Sequence, residues 1–219
     1  MSDARVKIQQ QNVSRESDGN WTNLRALRDG AMIAVPWYQA LVLEGRCFSA
    51  AAPGTYDITG VTTMGTYADT SKTLAVDIPD GTAAIPLYIE TNFNLNAATV
   101  SHMSAMVTVL LNGTGGSETE VSELNLRADN PVASGATAMH TVTSAVDNVD
   151  ATERVLFHWA SAQDLDTVDL DPYIRWSVGK TGIAPVVIDA GSIATVMFNA
   201  TSTGFSLIHW AEITESAFN

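Results

Sequence analysis

The densest group of reactive side chains in the sequence is acidic. Asp164, Asp166, Asp169 and Asp171 place four carboxylates within eight residues. A hard cation such as Ca²⁺ prefers oxygen ligands of this kind, so the segment is a candidate calcium loop. It has neither the glycine at its sixth place nor the glutamate at its twelfth that an EF-hand loop needs. The pattern is also typical of a solvated acidic loop, and this second interpretation is the one that we favour.

The other residues with catalytic or metal-binding potential are scattered. The histidines form no H-E-x-x-H motif, and two of them on neighbouring strands would be too few for a closed zinc site. They are His102, His140, His158 and His209. Arg46 would favour a thiolate at Cys47, but we expect a buried and apolar cysteine there. The glycine-rich stretch 113–116 is predicted to be a hairpin loop rather than a phosphate site, because no helix start follows it.

Carbohydrate chemistry is the remaining possibility. A glycosidase needs two carboxylates about 5 to 10 Å apart, and Glu44 and Glu90 lie in apolar settings that would suit such a pair. A row of exposed aromatic rings would instead bind sugars, and the chain has five tryptophans. Trp159 and Trp176 lie within predicted strands, however, where packing in the core is the default. The sequence therefore predicts no catalytic residue and no cofactor.

The charge of the chain is low in amount, acidic in sign and uneven in distribution. Charged residues make up 16% of the 219, and the formal net charge is −13. Residues 1–28 hold five basic and three acidic side chains (+2), whereas the remaining 191 hold six and 21 (−15). Affinity for nucleic acid comes from basic side chains, so the body is not expected to bind it directly. The basic residues of the first segment are Arg5, Lys7, Arg15, Arg25 and Arg28.

Most of the chain has the pattern of β-strands. Runs rich in Thr, Val and Ile alternate with breaks that carry Gly, Pro and Asn. The predicted strands are 56–62, 73–78, 83–93, 99–111, 120–126, 138–146, 154–162, 173–178, 185–188, 193–199 and 205–213. Because long amphipathic helices are missing, we predict an antiparallel β-sandwich, a single jelly roll of about eight to ten strands.

Three local predictions are more specific. Residues 193–198 and 205–210 are expected to form a hairpin through a small polar loop. Residues 154–162 alternate cleanly, with Val155, Phe157 and Trp159 on one face. Residues 37–45 fit either a strand or a short helix, and both alternatives stay open.

The first 30 residues differ in character from the rest. They are rich in Gln, Asn, Ser and Arg and lack the alternation of a strand. We predict an extended N-terminal arm over 1–30, with one helical turn near 21–28, and a β-sandwich domain over 31–219. We expect no signal peptide and no transmembrane helix, because no apolar run reaches about 18 residues.

Two stretches of the sequence carry a resemblance to a known class of proteins. Residues 24–48 (LRALRDGAMIAVPWYQALVLEGRCF) and 204–213 (GFSLIHWAEI) resemble virion proteins of bacteriophages. The order of a polar arm, Thr/Val/Ala-rich strands and a C-terminal strand resembles coat proteins with a jelly-roll fold. The resemblance implies a capsid subunit, or a minor or decoration protein, made in the host cytoplasm and located in the virion. Its partners would be further copies of itself and other virion proteins, and the alternative is a carbohydrate-binding or adhesin-like module of a phage tail or fibre.

Overall fold

The computed structural model describes the chain in eleven ranges. They are residues 5–7, 21–23, 36–52, 71–94, 101–108, 119–129, 132–143, 154–161, 173–187, 191–198 and 203–214. The helices are α1 (Trp37–Leu43) and α2 (Val178–Thr181). The strands are β1 (Arg5–Lys7), β2 (Trp21–Asn23), β3 (Cys47–Ala52), β4 (Ser71–Asp77), β5 (Thr82–Asn94), β6 (Ser101–Thr108), β7 (Thr119–Val121), β8 (Leu124–Asn125), β9 (Thr137–Thr143), β10 (Arg154–Ser161), β11 (Tyr173–Ser177), β12 (Ser192–Phe198) and β13 (Thr203–Thr214).

The strands form two antiparallel sheets that pack against each other. The six-stranded sheet has the order β10-β6-β12-β4-β9-β7, and the five-stranded sheet has the order β11-β5-β13-β3-β8. Strands β1 and β2 form a separate pair. The prediction of an all-β sandwich is therefore confirmed.

The pairing of eight strands is nested along the chain. Strand β3 pairs with β13, β4 with β12, β5 with β11, and β6 with β10. Two further pairings, β5 with β13 and β6 with β12, join these four pairs into the two sheets. The remaining strands β7, β8 and β9 come between β6 and β10 in the sequence and extend the sheets at the side of β3 and β4.

The core lies between the two sheets and follows the period of two in each strand. In β13, Ser206, Ile208 and Trp210 point inward and are fully buried, whereas the residues between them are half-buried. The ring of Trp210 packs against Phe48 of β3, with 5.9 Å between ring centroids. Burying a large apolar side chain of this kind stabilises a fold by about 1.5–3 kcal/mol.

The six-stranded sheet is also buried on its other face. Met106, Met139 and Val196 are each less than one-tenth exposed and form a cluster separate from the main core. Their sequence neighbours Val107 and Ala138 belong to the main core, so the alternation of the strands places this cluster on the opposite side of the sheet.

The predicted hairpin over 193–210 is wrong. Strand β12 pairs with β4 and β6, and β13 pairs with β3 and β5, so the chain passes from one sheet to the other between them. Across the interior, the hydroxyls of Thr195 and Ser206 lie 2.6 Å apart in a hydrogen bond. A small polar loop suits such a crossover as well as a hairpin, which is why the local pattern misled.

Other local predictions are corrected in the same way. Residues 113–116 lie outside the described residues, but β6 and β7 are separated by three strands and do not form the predicted hairpin. The run 120–126 divides into β7 and β8, which join different sheets. Of the run 185–188, the described residues 185–187 form a single bridge, from Val187 to Ala84. The run 56–62 lies outside the described residues.

In the first part of the chain, the structure describes residues 5–7, 21–23 and 36–52. The predicted helical turn near 21–28 is wrong for Trp21–Asn23, which form a strand. The open alternative at 37–45 resolves to a helix, α1. Leu41 of α1 packs against the core, and the main-chain NH of Arg46 donates a hydrogen bond to the Leu41 carbonyl at 3.0 Å where the chain turns into β3.

The alternation of β10 is interrupted by a β-bulge. Val155 pairs with Met106 and Phe157 with Ala105, so Leu156 is an extra residue. Met106 and Ala105 face opposite sides of β6, and Val155 therefore lies on the opposite face from Phe157. The prediction that Val155, Phe157 and Trp159 share a face is wrong for Val155, which is 60% exposed.

Glu212 of β13 fastens the loop before β9 to the sandwich. Its Oε1 accepts hydrogen bonds from the indole Nε1 of Trp210 at 2.8 Å and from the hydroxyl of Ser134 at 2.5 Å. The main-chain NH groups of Gly135 and Ala136 donate to the same carboxylate at 2.9 and 3.4 Å. Four donors from two parts of the chain thus converge on one side chain.

Candidate functional site

The structure describes only part of the predicted site residues. Arg5 and Lys7 lie in β1, which pairs with β2. Both the calcium loop and the assembly role of the arm stay predictions, because most of their residues lie outside the described ranges. These residues are Arg15, Arg25, Arg28, Asp164, Asp166, Asp169 and Asp171.

The histidines do not come together as a metal site. His158 lies on β10 at one end of the six-stranded sheet, and His209 lies on β13 in the middle of the other sheet. Their strands therefore belong to different sheets and are not neighbours. Among the residues that the structure describes, no group of three or more His, Cys, Asp or Glu side chains is placed to hold a metal ion.

Cys47 is buried at the start of β3, as predicted. It is fully inaccessible, and burial raises the pKa of its thiol to about 12 despite the nearby Arg46. The protonated thiol faces the main-chain oxygen of Tyr38 at 3.9 Å. A thiol in this state is a poor nucleophile.

A polar and aromatic cluster lies on the outer face of the five-stranded sheet. We call Tyr88, Glu90, Tyr173, Arg175 and His209 the outer-face cluster. They lie on the adjacent strands β11, β5 and β13, with Arg175 opposite Glu90 and His209 opposite Tyr88. The residues that alternate with them are buried in the core, so the cluster faces away from it. Those residues are Ile89, Trp176 and Ile208.

The cluster is held together by one carboxylate. The Tyr88 hydroxyl donates to Oε2 of Glu90, and Nε of Arg175 donates to the same oxygen at 3.3 Å. The Arg175 guanidinium lies 4.3 Å above the ring centroid of Tyr173, within cation–π range. The Tyr88 and His209 rings are 5.4 Å apart between centroids.

These contacts fix the protonation of the cluster near neutral pH. Burial, together with the hydrogen bond to Glu90, raises the pKa of Tyr88 to about 12, so the phenol stays a donor. Burial lowers the pKa of His209, with Glu90 opposing, so the imidazole is neutral at pH 7. The cluster therefore presents aromatic faces, a carboxylate and a guanidinium, the groups that hydrogen-bond and stack on polyhydroxylated ligands.

The carboxylates predicted for a glycosidase take different positions. Glu90 is central to the outer-face cluster, whereas Glu44 is the C-cap residue of α1. The Glu44 carboxylate lies 3.8 Å from Nε of Arg46. The cluster was missed in the sequence, although Tyr-x-Glu at 88–90 and Tyr-x-Arg at 173–175 show the period of two of a polar strand face. Its partners are 85 residues apart, and only the pairing of β5 with β11 brings them together.

Trp159 and Trp176, the two tryptophans that we expected to pack in the core, lie within strands and contact buried residues. Trp176 is 7% exposed and Trp210 is fully buried, while Trp159 is half-buried against Met103. Of the four tryptophans whose side chains are described, Trp37 alone is exposed. No row of exposed tryptophans forms among them.

An apolar groove runs beside the start of β10. We call it the β10 groove, and its volume is about 660 Å³. Its lining includes Val107, Trp176 and residues 183–187. Val155, Ile183 and Val186 border it with exposures of 60%, 80% and 42%. Among the described residues of the lining, Arg154 is the one that carries a charge.

Comparison with family models, with curated proteins and with solved structures finds no match for this chain. In the described ranges, neither helix has the length and apolar character needed to cross a membrane.

Proposed function

We propose that the sandwich is a jelly roll. Eight strands, β3 to β6 and β10 to β13, pair first with last, second with seventh, third with sixth and fourth with fifth. Such nesting is what results when one long antiparallel hairpin is rolled into two sheets, the double Greek key of a jelly roll. On this proposal, β7, β8 and β9 are an insertion between the fourth and fifth strands.

We further propose that the protein is a virion coat subunit that assembles with copies of itself into a shell. The nested strand order carries the proposal, because jelly rolls of this kind build viral capsids. The low charged fraction and the exposed apolar residues of the β10 groove support it, since both suit a surface that meets other protein. The acidic body favours a shell that encloses the genome without binding it tightly.

Particle formation by the purified full-length chain tests this proposal. We expect species far larger than the 23.3 kDa chain in light scattering, and closed particles in negative-stain micrographs. Deleting residues 1–28 should change the size or yield of the particles if the arm orders on a neighbouring subunit. A protein that stays monomeric at high concentration, with or without the arm, would contradict the proposal.

A carbohydrate-binding module is the second candidate, and the outer-face cluster favours it. Jelly rolls also occur in lectins. Tyr173 is 44% exposed and lies under Arg175, so an aromatic ring and charged hydrogen-bonding groups are offered on the same surface.

Glycan titration separates the two candidates. If the cluster binds sugar, some glycan in a broad panel should bind the wild-type chain and not the Tyr173→Ala variant. The matched control is Trp37→Ala, which removes a similarly exposed ring on α1. A flat response of the wild-type protein across the panel would remove this candidate.

A further inference from the structure

The outer-face cluster has hydrogen-bonding groups to spare beside its central ion pair. Oε2 of Glu90 accepts from both the Tyr88 hydroxyl and Nε of Arg175. Among the residues that the structure describes, no hydrogen bond is made by Oε1 of Glu90 or by either terminal NH₂ group of Arg175. The side chains of Arg175 and Glu90 are 51% and 18% exposed, so water reaches both. Guanidinium donors and a carboxylate acceptor therefore lie side by side, within reach of a ligand.

The neighbouring strands add apolar surface to this pair. Arg175 lies opposite Glu90, and Glu90 lies opposite Leu207. Ala51 follows Leu207 in the same row, which crosses four strands and spans about 14 Å at about 4.8 Å per strand. Leu207 and Ala51 are half-buried and alternate with buried core residues, so both lie on the outer face. The row thus passes from a donor to an acceptor and then to apolar surface.

The opposite charges of the pair disfavour ionic ligands. The guanidinium of Arg175 would bind the carboxylate of an acidic sugar, but the Glu90 carboxylate beside it would repel the same group. The net charge of −13 on the whole chain adds a general repulsion of anions. A cationic ligand would meet the reverse problem at Arg175. A neutral ligand is therefore the kind that both members of the pair accept.

A neutral sugar ring matches the row in its hydrogen-bonding groups and in its apolar surface. Each hydroxyl is both a donor and an acceptor, so two adjacent hydroxyls can accept from Arg175 and donate to Glu90 at the same time. Hydrogen bonds of this kind are strengthened because one partner is charged. The C–H face of the same ring is apolar and would remove Leu207 from water.

We infer that the outer-face cluster binds neutral sugars with two adjacent free hydroxyls and rejects their acidic counterparts. One hydroxyl accepts from a terminal NH₂ group of Arg175, the next donates to Oε1 of Glu90, and the ring lies over Leu207. Tyr173, whose ring lies under the guanidinium, holds Arg175 in position. The inference rests on the second candidate function, carbohydrate binding, for which it names the ligand class and the residues that decide selectivity.

Matched pairs of sugars test the selectivity. Oligomers of mannose, galactose and glucose are compared with oligomers of mannuronic, galacturonic and glucuronic acid, which differ from them by a carboxylate. Isothermal titration of the full-length chain measures each affinity. We expect a neutral member to bind about tenfold or more tightly than its acidic counterpart. Replacing either of two adjacent hydroxyls of that sugar by hydrogen should weaken its binding about fivefold or more.

Two variants locate the selectivity in the ion pair. Glu90→Gln removes the charge that repels acidic sugars and keeps an acceptor oxygen, so the ratio of neutral to acidic affinity should fall towards one. Arg175→Gln should weaken binding of the neutral sugar about fivefold or more. The matched control is Arg127→Gln beside α1, because Arg127 pairs with Asp129 as Arg175 pairs with Glu90, and it should change neither value. Near-ultraviolet circular dichroism checks native packing, and the hydroxyl replacements need only the wild-type chain.

The possible failures are distinguishable. If the wild-type chain binds none of these sugars, the carbohydrate candidate and the inference are both wrong. If it binds a sugar but prefers the acidic member of the pair, or if Glu90→Gln leaves the ratio unchanged, sugar binding stands and the neutral-sugar selectivity is wrong. Equal affinities of Arg175→Gln and the wild type would put the sugar site away from the cluster and overturn the inference. Particle formation decides the coat function separately in every case.

Discussion

Replacing Glu212 with glutamine should destabilise the fold far more than the loss of one surface charge would. The carboxylate accepts four hydrogen bonds, three at Oε1 and one, from Gly135, at Oε2. In the Glu212→Gln variant, one oxygen keeps three donors as a neutral acceptor, and the new NH₂ group faces the NH of Gly135. One hydrogen bond to a charged acceptor is lost, worth about 1.5–3 kcal/mol, and the others weaken.

Because Glu212 is half-buried, water can replace part of the loss, and we expect a net cost of about 2 kcal/mol. For a chain of this size, that lowers Tm by about 4–8 °C. Urea unfolding followed by tryptophan fluorescence measures the change, and the indole of Trp210 reports on the same contact. The control is Glu120→Gln on β7, an exposed carboxylate whose replacement should cost less than about 0.5 kcal/mol.

A double-mutant cycle tests whether the contact itself is responsible. Ser134→Ala removes one of the four donors, and its effect should be smaller in the Glu212→Gln background than in the wild type, by at least about 0.5 kcal/mol. Equal unfolding midpoints for Glu212→Gln and Glu120→Gln would refute the reasoning, as would strict additivity with Ser134→Ala.

Three further outcomes follow from buried groups. Cys47 should not react with a thiol reagent at pH 8 until the protein unfolds, and a fast reaction of the native protein would contradict its burial. Because the pKa of the Cys47 thiol is raised to about 12 in the fold, the free energy of unfolding should fall as the pH rises from 9 towards 12. Because burial lowers the pKa of His209, the free energy of unfolding should fall as the pH drops below 6.5. Urea titrations at pH 7 and pH 5 measure this loss, and the His209→Gln variant should lose less stability between the two pH values. Thr195→Val should lower the free energy of unfolding by about 1–3 kcal/mol, because the Ser206 hydroxyl loses its partner. Adding Ser206→Ala should restore most of that stability. A double variant less stable than Thr195→Val alone would contradict this explanation.

Strand content was predictable because it depends on local pattern. Runs with Val, Ile and Thr between turn residues located β4, β5, β6, β9, β10, β11, β12 and β13 to within a few residues. Cys47 and Trp176 were expected to be buried, and they are. In each case the information lies within about ten residues of the position concerned.

The features that the sequence did not predict depend on pairing between strands that are far apart in the chain. The bulge at Leu156 arises from the pairing of β10 with β6, and no residue type within β10 indicates it. The partners of Glu90 became visible only once β11 lay beside β5. The choice of sheet for β12 and β13 is likewise set by their neighbours, since both strands lie inside their sheets with a partner on each side.

The nested pairing also orders events while the chain is being made. Strand β13 lies between β3 and β5, and Ala52 of β3 pairs with Ser206. At a translation rate of about 5–20 residues per second, β13 is synthesised roughly 5 to 20 s after β5 is complete. Over that interval the central strand of the five-stranded sheet is missing, and Ile89 and Phe48 lack their pairing partners on β13. A nascent chain would therefore depend on chaperones or on delayed collapse, and a subunit would become competent to join its neighbours only after β13 has been made.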